Sequence, residues 1–189
     1  IWADIEYLGK AAHGGLLWDG RNAVVEMSLR INNFIKKNPL PKNKRWMTTY
    51  NFGKIEGGVS TNTVPDRCKL TVDIRYLPTV TENKVLTILK TNFPNCSIRI
   101  NLSEPPIFNK HNNAHIRSLS KEVSRVTKDV TVIDVNYGST DARYYSTQNI
   151  PSVSFGLDGT GTHSDDEQID ISSIWRYEEI LLNFINKLK

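Results

Sequence analysis

Long hydrophobic runs are missing from this chain of 189 residues. No apolar stretch approaches the roughly 20 residues that a membrane-crossing helix needs, so no membrane association is expected. Cysteine is nearly missing as well. Cys68 and Cys96 are the two present, and neither stands in a C-x-x-C or finger-like spacing. A disulfide-dense or zinc-finger scaffold is thereby excluded and a reduced, cytoplasmic protein is expected, with one Cys68–Cys96 disulfide as the open alternative. Charge of one sign is not in excess either: 24 basic residues face 20 acidic ones, a net charge of +4 spread along the chain. The densest basic run, "KKNPLPKNKRW" (36–46), carries two prolines and reads as an exposed connection rather than a nucleic-acid surface. An initiating methionine and a leader are absent, and Ile1 already belongs to a strand-like stretch, so the expectation is a piece of a longer polypeptide.

What is present is periodicity. "IWADIEYLGK" alternates Ile1, Ala3, Ile5 and Tyr7 on one face, a strand. "NAVVEMSLRINNFIKK" spaces Val24, Met27, Ile31 and Phe34 as a helix behind a capping Asn22. "MTTYNFGKIEGG" reads as a strand ending in a Gly57-Gly58 turn. "RCKLTVDIRYL" alternates most cleanly, with Cys68, Leu70, Val72 and Ile74 opposed to Lys69, Thr71, Asp73 and Arg75. "TENKVLTILKTNF" is a helix capped by Thr81, and "CSIRINL" a last strand. The order is β-α-β-β-α-β, the ferredoxin-like pattern. "SEPPIFNKHNN" (103–113) then reads as a crossing between domains. Beyond it the expectation is an incomplete α/β segment with a parallel sheet. Its parts would be a helix on Ile116, Leu119, Val123 and Val126, strands at "VTVIDV" and "PSVSFG", and a terminal helix with Ile174, Tyr177, Leu181, Phe184 and Leu188 on one stripe behind Ser172 or Ser173.

Four stretches could carry chemistry. "GKAAHGGLLWDGRNA" sets His13 at a strand end between glycines, which allow close approach of backbone and ring. "IEGGVSTNTVPDRCKLTVDIRYLP" places Asn62 in a loop and Arg75 on the polar face of a strand, where a forked guanidinium suits a carboxylate. "YGSTDARYY" offers Gly138, Ser139 and Thr140 before a helix start at Asp141, a place where backbone N–H groups can meet an anion. "GTGTHSDDEQID" follows an apolar strand and sets His163 before Asp165, Asp166 and Glu167. "HNNAH" places His111 and His115 four apart but lacks the glutamate of a zincin helix, so it is set aside as a metal site.

In this order the four stretches resemble the dinuclear-zinc hydrolases that include acetylornithine deacetylase, succinyl-diaminopimelate desuccinylase, aminoacylase and glutamate carboxypeptidase. The resemblance spans nearly the whole chain, with one departure: Gly15 and Leu17 stand where the family often has Ser and Pro. It implies a ferredoxin-like lid that also forms a homodimer, residues 1–106, followed by the closing segment of a zinc-binding catalytic domain, residues 107–189. It implies two zinc ions, with cobalt or manganese as substitutes, that activate a bridging water, and a glutamate general base outside this chain. His163 is implied as a metal ligand, supported by Asp166 and Glu167. His13 is implied to stabilise the oxyanion in the neighbouring subunit's site with help from Asn62. Arg75 would hold the substrate carboxylate, and Gly138, Ser139 and Thr140 would line its pocket. The substrate is expected to be an N-acyl amino acid or small peptide, with the isolated chain inactive. A catalytically dead relative, serving dimerisation or ligand binding, is the alternative. An RNA-recognition motif shares the strand order, but the polar face of "CKLTVDIRYL" offers Lys69, Thr71 and Asp73 rather than aromatic residues for base stacking, and no nucleic-acid partner is expected.

Overall fold

The computed structural model describes residues 1–110 and 112–188, so His111 lies outside the described residues. It divides into two compact units, Ile1–Pro106 and Ile107–Lys189.

The first unit is built on alternation. Strand β1 (Trp2–Leu8) turns Ala3, Ile5 and Tyr7 into a core that also takes Ile1, and β5 (Arg67–Arg75) adds Cys68, Leu70, Val72 and Ile74, all essentially without solvent contact. The two strands pair antiparallel with Ile5 opposite Leu70. Strand β6 (Cys96–Leu102) pairs with the other edge of β1, and β3 (Thr49–Gly57) with the other edge of β5. The sheet order β3-β5-β1-β6 with two helices is the ferredoxin-like β-α-β-β-α-β arrangement that the sequence implies.

Helix α1 (Ala23–Lys37) starts where expected, because Asn22 Oδ1 accepts the N–H groups of Val24 at 3.0 Å and Val25 at 3.1 Å. It buries Met27 and Phe34, and the Phe34 ring meets Tyr50 and Phe52 edge-on at 4.9 and 5.5 Å. Truncating so enclosed an aromatic costs about 3–5 kcal/mol, which makes Phe34 a main anchor of helix to sheet. Helix α2 (Glu82–Asn92) is capped by Thr81 and buries Val85 and Leu89. Two short strands, β2 (Ala12–His13) and β4 (Thr63–Val64), form a separate ladder beside the end of the sheet.

The second unit packs helix α3 (Ala114–Thr127) against helix α5 (Ser172–Asn186). Ile116, Leu119, Val123 and Val126 are half-buried, as their spacing implies. The unexpected member of the interface is Glu122, buried yet bonded to Arg125 Nε at 3.0 Å and to Lys187. A buried carboxylate is tolerated when paired in this way, and the two cations hold its carboxyl below the ordinary range.

Several expectations fail here. "VTVIDV" and "PSVSFG" form no strands, and no parallel sheet is present among the described residues. A strand exists through its ladder partner, and these segments have none; Val130 and Val132 are 90% and 77% exposed. Phe155 stacks instead on Tyr177 of α5, ring centres 5.0 Å apart. On α5 the buried positions are Ser173 and Ile180, whereas Ile174 is exposed and Leu188 is exposed beyond the helix end. Neither serine caps this helix. Asp170 does that work from outside, accepting the Ser172 N–H on Oδ1 at 2.8 Å.

Candidate active site

His13 and Asn62 are brought together. Strand β2 pairs with β4 so that His13 stands opposite Thr63, and the Gly14 N–H donates to the Asn62 carbonyl at 2.7 Å. Residue 14 has to be glycine for this approach, since a Cβ there would lie 2.9–3.1 Å from the backbone atoms of Asn62. The ladder is tied to the sheet end by the Gly9 N–H to Asp66 O (2.7 Å) and the Ala23 N–H to Pro65 O (2.8 Å). Both side chains are exposed, and Ser60 Oγ donates to Asn62 Oδ1. On the histidine, Nδ1 accepts the Gly15 N–H at 3.1 Å. An open cleft of about 410 Å³ lies alongside, lined by Val59, Thr63, Asp66 and Arg67, with neither His13 nor Asn62 in its wall.

Arg75 is not part of that group. It ends β5, opposite Thr49, and its guanidinium donates to Asp73 Oδ2 from Nε at 3.1 Å and Nη2 at 2.9 Å. The other oxygen of that carboxylate, Oδ1, is buried without a hydrogen-bond partner among the described residues. Strand β5 is nine residues long, so roughly 27 Å separate its two ends. His13 and Asn62 lie at the Arg67 end and Arg75 at the other.

In the second unit, Gly138, Ser139 and Thr140 precede the short helix α4 (Ala142–Thr147). The Gly138 N–H is turned inward to Asn136 Oδ1 at 2.8 Å, and Ser139 Oγ accepts from Arg143 Nη1 at 3.1 Å. Asp141 does not cap the helix with its side chain; its carboxylate lies 3.5 Å from Arg143. The residue that organises this loop is therefore Arg143, which the sequence conceals as an ordinary member of "GSTDAR". Its position four residues after Ser139 was the available signal.

His163 tops a hairpin formed by β7 (Gly159–Thr160) and β8 (Gln168–Ile169). The base is clamped by Arg176, whose Nη2 lies 2.9 Å from Oδ2 of both Asp158 and Asp170. At the tip His163 adopts a left-handed backbone (φ 65°), and its N–H donates to Glu167 Oε2 at 3.3 Å. Gly161 also has a positive φ, and a Cβ there would meet Asp166 O at 2.7 Å, so the position requires glycine on both counts. Glu167 thus orders the loop, and the exposed imidazole has no hydrogen-bond partner among the described residues. His115 is exposed in the first turn of α3. No three His, Cys, Asp or Glu side chains converge on a metal position among the described residues. One imidazole cannot hold a metal pair, so these residues alone do not make a zinc centre.

The peptidase dimerisation domain matches residues 1–95. The chain belongs to the M20 peptidase family. Proteins similar to it include the succinyl-diaminopimelate desuccinylase of Ehrlichia ruminantium, 26% identical over 136 residues that cover 69% of this chain and 35% of the relative. A probable carboxypeptidase of Uncinocarpus reesii is 37% identical over 75 residues, covering 35% and 17%. In fold, the aminopeptidase PepT of Bacillus cereus superposes with a TM-score of 0.80 at 19% identity, over 97% of this chain and 50% of that one. An M20 family metallo-carboxypeptidase of Sulfolobus solfataricus gives 0.72 at 17%, over 97% and 57%. The match with the desuccinylase spans about a third of that relative's length, and the structural matches about half of the chains they are made to.

Proposed function

We propose that this chain is the lid and the closing catalytic segment of a metal-dependent amidohydrolase that cleaves an N-acyl amino acid or a small peptide. Water adds to the amide carbonyl, the C–N bond breaks, and a carboxylate and an amine leave. His13 and Asn62 would donate hydrogen bonds to the carbonyl oxygen as it gains charge, and Arg75 would hold the substrate carboxylate. Gly138, Ser139 and Thr140 would line that pocket. The proposed metal is zinc, two ions, with cobalt or manganese as substitutes. His163 is the one ligand this chain would provide. A reduced, cytoplasmic setting fits the two free cysteines.

The observation that carries the reading is the separation along β5. His13 and Arg75 of one chain lie too far apart for one small substrate. Both can touch substrate if His13 enters the site of a second copy, as a homodimer through the lid would allow. The test is subunit exchange in the full-length protein. A His13→Ala parent mixed with a His163→Ala parent should recover activity above either alone, and His163→Ala should lower bound zinc. Full metal content in His163→Ala, or no recovery on mixing, overturns the reading.

A further inference from the structure

The loop at His13 departs from the motif it otherwise resembles by placing glycine at position 15, and that glycine touches the imidazole directly. Its N–H donates to Nδ1 at 3.1 Å. A Cβ on residue 15 would lie 3.3 Å from Nδ1 and 3.6 Å from Cε1, so the ring packs against this backbone. Both flanks are fixed as well. The Leu16 N–H closes onto His13 O at 2.8 Å, and the Gly14 N–H holds the Asn62 carbonyl.

We propose that the Gly15 N–H is the positioning group of His13, fixing the ring and keeping its single proton on Nε2, so that the lid presents a neutral outward N–H to a carbonyl oxygen. A neutral imidazole has one donor and one acceptor nitrogen, and an Nδ1 that already accepts a backbone N–H leaves Nε2 as the donor. His13 then cannot serve as the general base, because its accepting nitrogen is engaged. Its fitting partner is an acceptor, a substrate carbonyl or the oxyanion derived from it, rather than an amine. This assignment rests on the reading that His13 meets substrate.

The experiment uses the 189-residue chain labelled with ¹⁵N, at a pH where the imidazole is neutral. A scalar coupling between the Gly15 amide nitrogen and His13 Nδ1 is expected, with Nδ1 unprotonated and Nε2 protonated. Gly15→Pro, which removes the donor, should abolish the coupling and let both tautomers appear, while the remaining amide resonances report whether the lid stays folded. A protonated Nδ1, or no coupling in the unaltered chain, overturns the proposal. In the full-length protein Gly15→Pro should lower kcat about tenfold with KM within about twofold, and Gly15→Ala, which keeps the N–H, should recover most of it. Unchanged kcat in the proline variant, with His13→Ala inactive, also overturns the positioning role. Unchanged kcat in His13→Ala itself overturns the catalytic reading instead, and the coupling still decides what fixes the ring.

Discussion

Arg99 donates from Nη2 to Oδ2 of Asp4 at 2.9 Å, a cross-strand ion pair between β6 and β1. With Thr71 Oγ1 bonded to Oδ1 at 2.8 Å, and with help from Asn101, it holds the Asp4 carboxyl at about 2 against the opposing effect of burial. The folded value lies below the ordinary 3.8. The resulting stabilisation is therefore complete above about pH 4 and is lost as the pH falls toward 2. Arg99→Ala should raise the Asp4 titration and move acid unfolding of the first unit to higher pH. Carboxyl NMR and circular dichroism across that window test it, and an unmoved Asp4 titration would refute the assignment to Arg99.

The two cysteines should never join. Cys68 and Cys96 both stand opposite Tyr7, on the two neighbours of β1, which places their Cα atoms two strand spacings apart, roughly 9–10 Å. A disulfide needs less than about 7 Å. Burial also pushes both thiols up. Mild oxidation should leave two titratable thiols in the denatured chain; finding none would mean the sheet register is wrong.

Gly14→Ala should cost about 1–3 kcal/mol, because the atoms it would strike belong to the Asn62 backbone and cannot swing aside. Thermal unfolding gives the size of the loss. The cross-ladder N–H of residue 14 should also exchange faster with solvent, and an unaltered exchange rate would show that the strands tolerate the methyl group.

Arg75→Ala in the full-length protein should leave folding nearly intact, since the strand places the residue on the polar face. Losing one charge-assisted pair corresponds to about 1.5–3 kcal/mol, or one to two orders of magnitude in kcat/KM. The loss should fall on substrates with a free carboxylate far more than on their amide counterparts. Equal losses on such a matched pair would make Arg75 a partner of Asp73 and nothing more.

The first unit was legible because its two central strands, β1 and β5, bury one face, which stamps a period of two on β5 from Cys68 to Ile74. Its helices announce themselves through Asn22 and Thr81. The ladder of Ala12–His13 with Thr63–Val64 left no such mark, since two residues cannot display a period. "VTVIDV" misled for a related reason: β-branched residues signal strand propensity, but a strand is completed by a neighbour. His13, Asn62, Arg75 and His163 were conspicuous as polar residues set in glycine-rich or alternating stretches. Arg143, Arg176 and Glu122 were not, because nothing local separates an organising ion pair from a solvated one.

The ladder between β2 and β4 has a consequence for how this unit could be re-engineered. His13 and Asn62 are stitched backbone to backbone, so their spacing is set within residues 9–23 and 58–66, the first residue of α1 included. They form a cassette of two short pieces. Transplanted together onto the corresponding turns of another ferredoxin-like scaffold, the pieces should carry their mutual geometry with them, whereas either piece moved alone would arrive without its template.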